Sequence, residues 1–374
     1  MPTPHDVVVL IPSLHPNHLL PAYVDDLVRS GFHRILIVDD GSGPDYQDLF
    51  AEAARMEGCT VIGYAVNRGK GHALKHGMAY IAEHYRDAPG VVTADSDGQH
   101  TAEDVLKVAS LLVENTESGL ILGSRDFSQH DVPFKSRAGN RLTTFFFALL
   151  YGTWLPDTQT GLRGFSAQMI PFLRSVPGDR FEYEMNMLIY CSNEHIPFRI
   201  VPIHTIYIEE NKGTHFRPFH DSMHIYRQLF GNFIRFASSG FVSTGIDLLL
   251  FTLLDKWALP PLLSNPGQPV LWGISLQVLV ATAIARISSG LVNYKLNRTL
   301  VFKIEQSRGS LARYAALFTG VLITSATLVS FLHSWTGVDR TLIKIIVDTT
   351  IFFFNYRIQK AWVFKRNELE AVKP

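Results

Sequence analysis

Two carboxylates stand one residue apart in "VVTADSDGQH", Val91 to His100: Asp95 and Asp97, with Ser96 between them. The run before them is short and apolar, the pattern of a buried strand. A carboxylate at the end of such a strand is costly to bury alone, so a cation should face this pair. Closely spaced oxygen ligands on a turn suit a hard divalent ion, Mg2+ or Mn2+. Such an ion would bridge a substrate diphosphate and neutralise it.

The elements that must position this turn follow from the hydrophobic pattern. "VVVLIPS" (Val7–Ser13), "RILIVDDGS" (Arg34–Ser42), "TVIGYAV" (Thr60–Val66), the Gly90–Ala94 run and "GLILGSR" (Gly119–Arg125) read as strands. Helical spacing lies between them, near His18–Ser30, over Gly69–Tyr85, and after Thr101, which reads as an N-cap followed by acids in the first turn. This alternation predicts an α/β domain built on a doubly wound, mostly parallel sheet, whose ligands sit beyond the carboxyl ends of the strands. Four strand ends carry charge or glycine there: Asp39-Asp40-Gly41-Ser42, Asn67-Arg68-Gly69-Lys70-Gly71, Asp95-Ser96-Asp97 and Gly123-Ser124-Arg125. Neither a P-loop nor a GxGxxG turn after the first strand is present, which argues against Rossmann dinucleotide binding.

Charge narrows the partners. Basic and acidic residues balance at 34 each, so a nucleic acid is not expected as a partner. The two cysteines, Cys59 and Cys191, do not form a disulfide framework and suit a reducing compartment. The N-terminus lacks a basic n-region and reads as a strand, not a signal peptide.

Composition changes near residue 232. Four long apolar stretches follow, at 236–254, 271–292, 314–332 and 342–356, each near the ~20 residues that cross a bilayer. They predict an all-α membrane bundle of four transmembrane helices. Asp247, Arg286, Lys344 and Asp348 interrupt or edge them. Lys and Arg concentrate between the second and third stretches and after the fourth, which places the N-terminal domain and both termini in the cytoplasm. "NYKLNRTLVFK" (Asn293–Lys303) and "NYRIQKAWVFK" (Asn355–Lys365) form an internal repeat, so the bundle reads as two hairpins in parallel repeat. The expected division is 1–218 for the catalytic domain, 219–232 for an amphipathic helix lying on the membrane, 233–366 for the bundle and 367–374 for a cytoplasmic tail. Such a chain belongs in an integral membrane setting, with a prokaryotic inner membrane the best fit, and homo-oligomers through the bundle are compatible with it.

"VDDGS", "NRGKGHALKHG", "ADSDGQH", "GSRDF" and "DTQTGLRGF", in that order, resemble a family 2 glycosyltransferase of the GT-A fold. The pattern is most similar to polyprenyl-phosphate hexose synthases of the dolichol-phosphate mannose synthase type, and the segment from about 232 is similar to the GtrA-like four-span domain. The resemblance implies that Pro12, Asp39, Asp40, Gly69, Lys70, Asp95 and Ser96 lie along the nucleotide sugar. It implies that Asp95, Asp97 and Gln99 ligate the metal. Arg125 and Arg137 would hold the lipid phosphate, and Asp157, Thr158, Thr160, Gly161 and Arg163 would form the loop around sugar and acceptor. Arg217, in the linker, would meet that phosphate or lipid headgroups. One departure from the family is the stretch Pro12-Ser13-Leu14-His15-Pro16-Asn17, which lacks the usual glutamate.

Charge then shapes the mechanism. A polyprenyl monophosphate has a second pKa near ~6 and is already largely a dianion at neutral pH. It needs arginine clamps to approach an anionic donor, not a general base. Arg125 and Arg137 suit that role, with Arg163 beside them and Asp97 on the donor's metal, in an inverting displacement. A hydroxyl acceptor would need a base, for which Glu182 and Glu184 in "FEYEMNMLIY" are the candidates. A third reading makes the membrane half a transporter or scaffold for the lipid-linked sugar.

Overall fold

The structure is a computed structural model and describes residues 2–114, 119–127, 134–204, 218–259, 269–271, 274–304 and 309–365. It divides into two units, Met1–Leu229 and Phe230–Pro374.

The first unit alternates strand and helix: β1 (Val8–Ser13), α1 (Leu19–Arg29), β2 (Ile35–Asp39), α2 (Gln47–Ala54), β3 (Cys59–Gly63), α3 (Lys70–His84), β4 (Gly90–Thr93), α4 (Ala102–Glu114) and β5 (Leu120–Arg125). Then come α5 (Phe134–Tyr151), β6 (Arg163–Ser166), α6 (Ile170–Ser175), α7 (Glu182–Asn193) and β7 (Phe198–Ile203). All seven strands form one sheet in the order β3-β2-β1-β4-β6-β5-β7. The pairings are parallel except that β6 runs antiparallel to both β4 and β5.

Period-two alternation sends side chains to both faces, and both are covered, which is why β1 and β2 are apolar throughout. Val9, Ile11, Ile35 and Ile37 join a core with residues of α1, α2 and α4. Leu10 and Val38 face α3, where Gly77 leaves room for them. Thr101 caps α4 as expected, its Oγ1 accepting from the Asp104 amide at 3.1 Å.

β6 and β7 have no counterpart among the strands expected from the sequence. β6 has only four residues, "RGFS", too short for a periodic signal. It reverses the chain direction in the middle of the sheet and returns the Asp157–Gly161 loop to the carboxyl ends of β4 and β5.

The second unit is helical. Helix α8 (Pro218–Leu253) runs without a break, so residues 219–232 are continuous with the helix that follows and do not make a separate element. It is followed by α9 (Leu276–Leu296), α10 (Ser310–Thr336) and α11 (Arg340–Ile358). The second apolar stretch does not begin as helix: Pro269–Leu271 and Ile274–Ser275 pair as two short antiparallel strands first. Among the described residues three segments are long and apolar enough to cross a membrane: Ile225–Ala258, Leu276–Val301 and Ser310–Thr336. Helix α11 has 19 residues and carries Arg340, Lys344, Asp348 and Arg357, which take it below that mark.

The internal repeat is also a repeat in space. Each motif ends in one π-turn, Asn297–Val301 and Gln359–Val363. The fully buried Asn297 donates its amide to Gln359 Oε1, its counterpart in the other copy, at 3.0 Å. Phe302 and Phe364, equivalent again, stack at 5.0 Å. Tyr294 stacks on Phe364 at 5.6 Å, and Tyr356 on Phe302 at 5.8 Å. The two hairpins thus meet about a local pseudo-two-fold axis, as parallel repeats do.

Candidate active site

The site is assembled at the carboxyl ends of β1, β2, β4 and β5. Asp95 lies two residues beyond β4 and is the hub. Lys70, the first residue of α3, places Nζ 2.6 Å from Asp95 Oδ1 and 3.0 Å from Glu184 Oε1 on α7. The buried His100 places Nε2 3.4 Å from Asp95 Oδ2. Burial opposes the charge of Asp95, but Lys70 and then His100 outweigh it and hold its carboxyl well below the usual carboxylate range. Burial likewise opposes the charge of Lys70, and Asp95 and Glu184 outweigh it, so the ammonium is raised above an ordinary lysine.

Asp97 differs. Its Oδ1 accepts from the Gln99 amide at 3.1 Å. Burial first, and the Asp95 carboxylate second, push its carboxyl above the ordinary value. A charged Asp97 therefore lacks sufficient positive compensation in the protein itself, and a divalent cation would supply it. Oxygen donors from Asp95, Asp97 and Gln99 fit a hard cation. Among the described residues no group of three or more His, Cys, Asp and Glu is arranged to hold a metal.

The loop from Pro156 to Gly161 closes on this turn from the side. Arg125, the last residue of β5, donates from Nε to Asp157 Oδ2 at 2.7 Å and from Nη2 to Oδ1 at 3.0 Å. This is a bidentate pair on a carboxylate that is 1% exposed. Asn140 on α5 donates to the Pro156 carbonyl at 2.6 Å and accepts from the Thr158 amide at 3.3 Å. Thr160 Oγ1 accepts from the Leu162 amide at 3.2 Å. The Thr93 hydroxyl donates to the Gly161 carbonyl at 2.7 Å and presses Gly161 against Asp95. A Cβ at position 161 would overlap the Asp95 carboxylate. Gly161→Ala is therefore expected to displace Asp95 and lower kcat/KM by roughly 10²-fold, with steady-state kinetics on the purified variant as the check.

Some sequence-predicted residues take structural roles. Asp40 is buried, and its carboxylate accepts from Tyr64 Oη at 2.7 Å and from the amides of Arg68 and Gly69 at 2.8 and 2.9 Å. It shapes the loop that delivers Lys70, with Gly69 at φ +103° where a side chain would strike the Asp179 carbonyl. Asp39 accepts from the Ser42 amide at 2.8 Å and stays partly exposed at the rim. Pro12 is buried within β1, opposite Val38. Arg163, expected beside the phosphate clamp, lies in the interior. It is 1% exposed, and its guanidinium donates to the main-chain carbonyls of Thr160 at 3.0 Å and Glu184 at 2.7 Å. It ties the loop to α7, while its buried Nη2 has no hydrogen-bond partner among the described residues.

Ser96 is partly buried between the two carboxylates, and Arg137 sits half-buried in the first turn of α5. Arg217 lies outside the described residues. Glu182 accepts from the amides of Asp179 and Arg180 at 3.2 and 3.3 Å, which is a turn-capping role. Glu184 and His100 are the additions. The sequence marked Glu184 only as a possible base and gave His100 no role. A basic residue at a helix start, answered by a carboxylate on a helix more than a hundred residues away, leaves no local signal.

The comparisons with known proteins agree with this geometry. Residues 8–173 match the model for glycosyl transferase family 2, and residues 235–364 match that for the GtrA/DPMS transmembrane domain. An uncharacterized protein of Methanocaldococcus jannaschii is 31% identical over 209 residues, covering 54% of this chain and 83% of that protein. Glycosyltransferase AglJ of Haloferax volcanii is 27% identical over 265 residues, covering 68% of this chain and 84% of that protein. The UDP-N-acetylglucosamine–dolichyl-phosphate N-acetylglucosaminyltransferase of Methanococcus voltae is 27% identical over 220 residues, covering 54% and 86%. A carboxylate turn, a cationic loop beside it and a membrane domain after it converge with these matches: the chain is a glycosyltransferase that belongs to glycosyl transferase family 2 and carries a GtrA/DPMS transmembrane domain.

Proposed function

We propose that the chain transfers a hexose from a nucleotide diphosphate sugar, of the UDP-glucose or GDP-mannose type, to a polyprenyl phosphate. The product is a polyprenyl-monophosphate sugar for cell-envelope glycans or glycoconjugates. The observation that carries this reading is the contact of Gly161 with Asp95, which joins the metal-binding turn to the loop that holds Arg125.

In this reading Asp97, with Asp95 and Gln99, holds Mg2+ or Mn2+. Such an ion neutralises the donor diphosphate and stabilises the departing nucleotide. Lys70 stands on the other side of Asp95 and adds positive charge near the donor. Asp157 fixes the plane of the Arg125 guanidinium, and with Arg137 that cation offsets the charge of the acceptor phosphate as two anions approach. The acceptor oxygen is already ionised, so attack on the anomeric carbon needs no proton transfer and proceeds with inversion. α11 completes a four-helix membrane domain, with two of its charges meeting polar partners: Lys344 pairs with Asp348 at 2.7 Å, and Ser325 reaches Asp348 from α10. The catalytic unit and both termini are cytoplasmic.

The test uses membranes that hold the protein, undecaprenyl phosphate, Mg2+ or Mn2+ and a panel of radiolabelled sugar nucleotides. Label should enter the organic phase from one donor. Glu184→Gln separates the acceptor classes. With a phosphate acceptor Glu184 only helps hold Lys70, and transfer should fall by about tenfold or less. A loss of ~10³-fold or more, with the wild type labelling a hydroxyl acceptor, would make Glu184 a general base and overturn the phosphate reading.

A further inference from the structure

One end of the second unit gathers positive charge in a symmetric pattern. The motifs Asn293–Lys303 and Asn355–Lys365 align residue for residue, so Lys295, Arg298 and Lys303 have Arg357, Lys360 and Lys365 as counterparts. Neither motif contains an acidic residue. The fold brings the two sets side by side. Asn297, which precedes Arg298, donates its amide to Gln359, which precedes Lys360, at 3.0 Å. Phe302 and Phe364, which precede Lys303 and Lys365, stack at 5.0 Å. Two like sets of cations therefore share one end of the unit, about the axis that relates the hairpins. The opposite end is balanced, with Asp255 beside Lys256 and Asp339 beside Arg340.

Orienting a membrane protein needs only that Lys and Arg lie in the flanking loops. Lys295, Lys303, Arg357 and Lys365 are exposed and suffice for that. Arg298 and Lys360 go further. They occupy equivalent positions, both are half-buried, and each follows a buried amide side chain, Asn297 and Gln359. Arg298 Nε is buried with no hydrogen-bond partner among the described residues. Burial first, and Arg357 second, lower the Lys360 ammonium to about 8. Taking a cation out of water is costly and orientation does not require it, yet it is done twice, at matching positions. An anion at this end would offset that cost in both copies. Leu300 and Trp362, counterparts as well, stand two residues beyond Arg298 and Lys360 and are 58% and 45% exposed. Apolar surface beside paired cations suits a lipid better than a free anion.

We propose that this end of the membrane unit binds an anionic bilayer phospholipid whose headgroup carries two phosphates, one for each cation set. Arg298 and Lys360 are the inner contacts, and the four exposed cations surround them. A guanidinium can take a phosphate through two hydrogen bonds and an ammonium takes it as a point charge. A headgroup with a single phosphate would satisfy one copy of the motif and leave its twin uncompensated. The site uses none of the catalytic residues and holds whichever reaction they perform.

The test uses the full-length protein in detergent, with bound lipid counted by native mass spectrometry and folding followed by thermal unfolding. Diphosphatidylglycerol should bind and raise Tm, and should bind more tightly than phosphatidylglycerol at matched charge. Arg298→Gln and Lys360→Gln should each weaken diphosphatidylglycerol by roughly fivefold, and together by roughly 30-fold. A second double variant, Lys303→Gln with Lys365→Gln, changes only exposed side chains and should weaken it by a similar factor, so the result does not depend on the inner pair folding. Wild-type affinity in folded double variants would place the lipid elsewhere and overturn the assignment. Equal affinity for the two lipids at matched charge would overturn the two-phosphate site. Displacement of diphosphatidylglycerol by equimolar undecaprenyl phosphate would make the acceptor lipid the occupant, and displacement by inorganic phosphate or pyrophosphate would make it a free anion; either result also overturns the proposal.

Discussion

Replacing Asp97 by alanine is expected to lower sugar transfer by about 10²–10³-fold, the loss typical of removing one electrostatic stabiliser of a developing anion. The half-buried Asp97 carboxylate lies beside a second carboxylate, and the Gln99 amide, with His100 and Lys70 behind it, offsets it only in part. The protein has put its lysine and histidine on Asp95 instead. This asymmetry gives the effect a pH signature. Asp97 has a folded pKa raised above the unfolded value, by burial and then by Asp95. The native state therefore binds a proton that the unfolded chain releases, and the group's contribution to stability falls as pH rises from the ordinary carboxylate value through the folded one. A divalent cation relieves that cost and competes with the proton. Mn2+ should accordingly raise Tm more at pH 7 than at pH 5, and Asp97→Asn should remove the difference. Equal Mn2+ shifts at both pH values would contradict a metal held by Asp97.

Arg125→Ala should have the second large effect, on stability as well as turnover. It leaves the Asp157 carboxylate buried without its bidentate partner. Breaking a buried ion pair from one side costs roughly 3–5 kcal/mol, on the order of 10 °C in Tm for a unit of this size. The double variant Arg125→Ala with Asp157→Asn should recover part of that Tm, because the stranded charge is gone, yet recover no turnover, because the cation that meets the acceptor is still missing. Full recovery of turnover in the double variant would show that Arg125 serves only the loop. Thermal unfolding and organic-phase counting on the same preparations measure both.

Arg125 also shows how far the chain could be read without its fold. Its place at the end of a strand was legible, because "GLILGSR" is an apolar run closing on glycine and charge. Its partner was not, because Asp157 is 32 residues on and reaches it only through the reversal at β6. Arg163 shows the opposite case. A strand-end arginine in a glycine-rich motif has the composition of a clamp, but β6 turns it inward, where Nε and Nη1 meet main-chain carbonyls. Asp40 and Asp39 are adjacent in sequence and alternate across the strand end. One is consumed by the Arg68–Gly69 loop and the other is left at the rim.

The sequence alone determined the α/β alternation, the carboxylate turn after β4, the change to membrane-type composition near residue 232 and the repeat at the ends of α9 and α11. These rest on local periodicity and on composition, which survive without tertiary contacts. Only the tertiary structure decided that Lys70 and Glu184 belong with Asp95, that Arg163 is a tie and Arg125 an oriented cation, and that Asn297 meets Gln359 across the repeat. Those facts depend on which side chains an antiparallel strand, a close-packed glycine and a pseudo-two-fold axis bring together, and sequence separation carries no information about that.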